Sequence, residues 1–145
     1  MNIQRIDHLS INVEDLEAAK AFFLDFGLEV LGEWEMEGEL LQNIVALQNV
    51  QVACVALGTK NGEVWLELVH YKTPKDESGI QETFANTLGV GHIAFAVDDI
   101  EALVAKLKKN GTEVLSEIQN YKGQYKLVYC KGPEGIILEL AEKLR

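Results

Sequence analysis

Cysteine is scarce in this 145-residue chain, with Cys54 and Cys130 far apart and no others. Two distant thiols build neither a disulfide framework nor a zinc-thiolate knuckle. Each is expected to sit reduced in or near a core strand. Positive charge is short as well: 13 Lys and Arg stand against 23 Asp and Glu, a formal net charge of −10. That balance argues against a nucleic-acid backbone as ligand. It leaves room for an anionic metabolite held by a few local lysines. Long apolar runs are missing, which excludes a membrane-spanning helix. The opening MNIQRIDHLS lacks the apolar segment of a signal peptide, so a cytoplasmic location is the default expectation. GPEG at 132–135 lacks the glycine pattern and Lys–Ser/Thr of a phosphate-cradling loop and reads as a turn. The 48% apolar fraction is ordinary for a folded chain, enough for one core or two small modules sharing one.

What the chain does have is a repeat. Displaced by 84 residues, DHLSINVEDLEAAKAFFLDFGLEVLGE lies over GHIAFAVDDIEALVAKLKKNGTEVLSE without a gap. His8 meets His92, Val13 meets Val97, Asp15 meets Asp99, Glu17 meets Glu101 and Gly27 meets Gly111, and EVL recurs at 29–31 and 113–115. A register that matches a histidine, a helix start and a helix stop together constrains architecture more than any single motif.

Each copy reads as strand, helix, strand. Leu9, Ile11 and Val13 alternate with His8, Ser10 and Asn12; Ile93, Phe95 and Val97 alternate with His92, Ala94 and Ala96. The helices that follow carry Leu16, Ala19, Phe22, Phe23 and Phe26, or Ile100, Leu103, Val104 and Leu107, at helical spacing. Those stripes can cover the apolar strand faces, leaving both histidines on the opposite face. Gly27 and Gly111 suit helix ends, and the acidic starts suit the helix dipole. An exposed strand start explains one histidine without any function; two at equivalent positions weaken that explanation.

The remaining segments complete two βαβββ modules, an α+β chain. The first adds a strand over 28–37, a short helix within 38–49 crossing the open sheet face, and strands over 50–59 and 63–71 around the turn KNG. The second adds strands over 112–118, 125–130 and 136–142, with a turn at 131–135. The modules therefore span 1–71 and 89–145, and 72–88 reads as a connector with one helical turn, all within one compact domain.

Glu67 in VWLELVHY and Glu139 in IILELAEK each interrupt an apolar final strand. A carboxylate in such a strand is costly unless it is exposed at an edge, paired, protonated or metal-bound. Two imidazoles and two carboxylates form a donor set that zinc, nickel, cobalt, iron or manganese accepts. Trp34, Trp65, Tyr125 and Tyr129 are expected to pack near a site rim, and His70 is expected on the surface, one strand face away from Glu67.

Through DHLSINVEDLEAAKAFF, VWLELVHY, GHIAFAVDDIEALVAKL and GPEGIILEL, nearly the whole chain resembles the vicinal-oxygen-chelate superfamily. That superfamily includes glyoxalase I, methylmalonyl-CoA epimerase, fosfomycin- and bleomycin-resistance proteins and extradiol dioxygenases. The resemblance implies paired βαβββ modules whose curved mixed sheet surrounds a cup-shaped site, usually in a homodimer. It implies His8, Glu67, His92 and Glu139 as ligands of one divalent metal ion per site, nickel, zinc or cobalt before iron or manganese. It also implies Glu139 as catalytic base with Glu67 as its counterpart, moving a proton beside the carbonyl of a small molecule, a thiol adduct or an acyl-CoA. The epimerase pattern commonly has glutamine where Glu67 stands. Bacterial glyoxalase I usually has an arginine, which helps hold glutathione, where this chain has Asn12; the only arginines here are Arg5 and Arg145. A metal-free binding protein of the bleomycin-resistance type is the non-enzymatic alternative.

Overall fold

The computed structural model describes residues 1–144, so Arg145 lies outside the described residues. The chain divides into two compact units, Met1–Gly79 and Ile80–Arg145, and the division falls inside the 72–88 segment.

The first unit runs β1 (His8–Asn12), α1 (Leu16–Phe26), β2 (Glu29–Glu37), α2 (Glu39–Val45), β3 (Gln51–Gly58) and β4 (Trp65–Thr73). Its four strands are ordered β1-β4-β3-β2, with β1 parallel to β4 and the other pairs antiparallel. Asp15 starts α1 by accepting the Ala18 N–H at 3.0 Å, and Gly27 ends it at φ 124°, a conformation that suits glycine. α1 packs on β3 and β4, burying Ala19 and Phe23 with Val55, Leu57, Leu66 and Leu68. Each large side chain so buried is worth about 1.5–3 kcal/mol. Leu41 of α2 lies with Val50, Val52, Cys54 and Val69 in a second cluster, flanked by Trp34, Val45 and Tyr71. By strand parity this is the face of Glu67, so α2 covers part of the open side, as its spacing implies.

The second unit repeats the plan: β5 (Ile93–Ala96), α3 (Ile100–Lys109), β6 (Gln119–Tyr121), β7 (Tyr125–Lys131), a 3-10 turn at Pro133–Gly135 and β8 (Ile137–Lys143). Its sheet order, β5-β8-β7-β6, matches the first strand for strand. Asp99 caps α3 through Ala102 N–H at 3.0 Å, and Ile100, Val104 and Leu107 are buried. Each module thus carries its own four-stranded mixed sheet.

Two local expectations change. No continuous strand forms over 112–118: Val114 makes an isolated bridge to Cys130, and regular pairing resumes only at Gln119, opposite Leu127. From bridge to strand the segment advances five residues while its partner retreats three, so the surplus bulges out. Ser116 and Gln119 satisfy the bulge locally by donating to the Glu117 carbonyl. β2 has its own register shift at the matching repeat position, between Val30 and Gly32. The connector forms no helical turn either. β4 continues to Thr73, and the segment beyond folds into turns, one closed by Phe84 N–H to Thr87 Oγ1 at 2.8 Å. Thr87 thereby supplies a side-chain acceptor that competes with helix formation.

Candidate functional site

Parallel pairing of the first and last strands of each module places a histidine near a glutamate in the same way twice. In the first unit Ser10 pairs with Glu67, and His8 lies two residues before Ser10. In the second Ala94 pairs with Glu139, and His92 lies two residues before Ala94. A step of two keeps side chains on one sheet face, so each His–Glu pair shares the face opposite its module's long helix.

His92 and Glu139 meet, with Nε2 3.3 Å from Oε1. They remain 37% and 20% exposed, open enough for a ligand to reach. Metal–ligand bonds of about 2.0–2.2 Å place adjacent nitrogen and oxygen donors roughly 3.0–3.5 Å apart, so this pair fits around one ion. Tyr129, opposite Glu139 in the β7–β8 ladder, hydrogen-bonds to its carboxylate and lies 4.9 Å from the His92 ring. Burial, then the charge of Glu139, then this bond push the Tyr129 hydroxyl above its ordinary range.

His8 has other partners. Its Nδ1 lies 2.7 Å from Asp7 Oδ2, and its ring stacks on Trp65 with centroids 4.3 Å apart and planes 19° apart. Trp34 meets Trp65 edge-on at 6.4 Å, so the ring contacts run from His8 through Trp65 to Trp34. The bonds from His8 and Arg5 hold the Asp7 carboxyl below its usual range. Glu67 is half-buried on the same face, and its charge adds to the burial that pushes the Cys54 thiol up to about 11. Burial alone carries Cys130 to about 11. Both cysteines are free, on β3 and β7.

Sequence reasoning missed the contacts of Asp7 and Tyr129. Asp7 was legible as an acidic neighbour of a histidine, but the Glu139 partner of Tyr129 depends on β7–β8 register. His70 is half-buried rather than a surface residue, and its Nδ1–H donates to the Val13 carbonyl at 3.1 Å. Its counterpart in the second module, Glu142, accepts the Ile100 N–H at 2.8 Å, so His70 ties β4 to the segment between β1 and α1 and Glu142 ties β8 to the start of α3.

One acidic trio, Asp99, Glu101 and Glu142, also falls within metal-ligand reach. Asp99 and Glu142 satisfy N–H groups at the start of α3, and Glu101 pairs with Lys126 at 2.8 Å. A helix N-terminus and a lysine account for the gathering of charge there.

Comparison with known proteins places these features in context. Residues 5–140 match the family model described as the Glyoxalase/Bleomycin resistance protein/Dioxygenase superfamily. A glyoxalase family protein from Bacillus cereus superimposes with a TM-score of 0.94 and 34% identity, covering 100% of this chain and 97% of that one. Human mitochondrial methylmalonyl-CoA epimerase is 31% identical over 97% of this chain and 75% of its own length. Lactoylglutathione lyase from Schizosaccharomyces pombe is 24% identical over 99% of this chain, which spans only about half (49%) of that relative.

Proposed function

The chain belongs to the glyoxalase, bleomycin resistance protein and dioxygenase superfamily, and from that premise we propose that it is a metal-dependent lyase or isomerase of the glyoxalase I type. In this reading His8, Glu67, His92 and Glu139 hold one divalent ion, nickel, zinc or cobalt before iron or manganese. The observation that carries the reading is the His–Glu diagonal repeated on the parallel strand pair of both modules, closed to 3.3 Å in the second. Members of the superfamily commonly bind a divalent metal.

When bound, such an ion would supply Lewis-acid polarisation of a carbonyl. The rest of the chemistry belongs to the chain. Glu139 takes the proton from the carbon beside the carbonyl, and the Tyr129 hydroxyl keeps its carboxylate aimed. Glu139 then returns that proton to the substrate, or Glu67, at the equivalent repeat position, delivers one of its own while Glu139 releases its proton to water. The substrate is a small carbonyl compound, either a thiol adduct or an acyl-CoA. Asn12, in place of a glutathione-holding arginine, turns the reading away from glutathione itself, while Glu67, where the epimerase pattern commonly has glutamine, keeps it on the glyoxalase side. An epimerase-like isomerase acting on acyl-CoA is the alternative, supported by the identity to the human epimerase. We expect a cytoplasmic homodimer. The aromatic surface of Trp34, Trp65 and His8 favours a second reading, metal-free binding of a planar small molecule.

The test is α-proton exchange in D2O, catalysed by protein reconstituted separately with nickel, cobalt and zinc. Hemithioacetals of several thiols and a 2-methyl-branched acyl-CoA dicarboxylate are the substrates. Exchange that Glu139→Gln abolishes supports the proposal and identifies the substrate arm. No exchange with any metal and substrate overturns it in favour of the binding reading.

A further inference from the structure

We propose that Asp7 is the positioning residue of the first half-site, fixing the His8 ring so that Nε2 is the atom presented to a ligand. The inference rests on the metal reading above and adds a residue to it. Asp7 is anchored at three points just before β1. Its carbonyl accepts the Trp65 N–H at 3.4 Å, its Oδ1 accepts Arg5 at 2.8 Å, and its Oδ2 takes His8 Nδ1 at 2.7 Å. Aspartate is ionised at neutral pH, and an ionised carboxylate only accepts hydrogen bonds. Nδ1 must therefore carry the hydrogen, which leaves the lone pair of a neutral ring on Nε2.

Trp65 supplies the second constraint. Stacked at 4.3 Å and 19° on the same imidazole, it sets the ring plane while Asp7 sets the tautomer. Histidines that bind metals characteristically need both, and a carboxylate on the second nitrogen is a common way to orient them. The repeat sharpens the point. Asp7 aligns with Gly91, which has no side chain to offer His92, and Tyr129 aligns with Ala56, which has no hydroxyl to offer Glu67. The candidate ligands are duplicated but their supports are not: the first unit orients its histidine and the second its glutamate.

Two readouts test this on the full-length protein. The first is the nitrogen–proton correlation spectrum of the imidazoles in metal-free 15N-labelled protein, at a pH where imidazoles are neutral. The second is nickel affinity by competition with a chromophoric chelator. Wild type should show His8 as the Nδ1–H tautomer. Asp7→Ala should give a mixture and weaken nickel binding about 10- to 100-fold, with circular dichroism unchanged and affinity partly restored by Asp7→Glu. A change in only one of the two readouts, or in neither, overturns the inference. His8→Ala separates the levels. Loss of nickel in His8→Ala but not in Asp7→Ala removes only the role of Asp7. Full binding in His8→Ala, or none in wild type, overturns the metal reading and this inference with it.

Discussion

Tyr129 and Asp7 support their neighbours in ways that spacing alone does not reveal: Tyr129 meets Glu139 through strand pairing, and the Asp7 carboxylate turns onto the ring of the adjacent His8. Replacing Tyr129 with Phe removes one hydroxyl and little volume. The Glu139 carboxylate then loses its donor, and metal affinity or proton exchange should fall about 10- to 100-fold. Circular dichroism and the denaturation midpoint at pH 7 should barely move; an unchanged rate would remove Tyr129 from the site. The two thiols give a separate test. Burial raises both from an ordinary 9.0 to about 11, aided at Cys54 by Glu67. The folded state therefore keeps protons that the unfolded chain sheds, so stability is full below about pH 9 and is lost as pH rises towards 11. Each thiol accounts for up to roughly 2–3 kcal/mol. Urea midpoints measured from pH 8 to 11 should fall, and the fall should be shallower in Cys130→Ala even though that variant starts lower. The four residues stood out as candidates because each histidine and each glutamate recurs in the other module. Their supports lack that mark: Asp7 was legible only as an acidic neighbour of His8, and the partner of Tyr129 depends on β7–β8 register.

At the scale of elements, the helices were readable from chemistry that acts within a few residues. Asp15 and Asp99 cap α1 and α3 through identical 3.0 Å bonds, and the apolar stripes that follow face their sheets. The succession of elements in each module was readable as well, but the break at 116–118 was not. EVL stands in both copies, and whether the residues after it continue a ladder depends on how many partner residues remain to pair with. The twin caps allow a controlled comparison. Asp15→Ala should cost about 1 kcal/mol, the usual value of an N-cap. Asp99→Ala loses the same bond but also relieves repulsion from Glu101 and Glu142, which crowd within 4.8 Å. Its cost should be smaller, and the difference should shrink in high salt as screening weakens the repulsion. Equal costs at low salt would show that Lys126, already paired with Glu101, neutralises the trio.

For the whole molecule, the central question is whether two similar half-sites act as one. A histidine and a glutamate alone make a weak site for a divalent ion, with most positions left to water. Four donors chelate far more strongly because the second pair binds without a further loss of translational freedom. If each unit held its own ion, wild type would bind two per chain and His8→Ala would lose one. If the four residues share an ion, wild type should bind one per chain, and either His8→Ala or His92→Ala alone should remove nearly all of it. Binding to the folded state alone also raises its stability by RT ln(1 + [L]/Kd), about 2.7 kcal/mol at a hundredfold excess over Kd. Nickel should therefore raise the melting temperature of wild type, a chelator should reverse the rise, and neither single-histidine variant should show it. Elemental mass spectrometry and thermal melts on the same three proteins decide between one shared ion and two separate ones. Two ions per chain, each tied to its own histidine, would turn the repeat from one divided site into two independent ones.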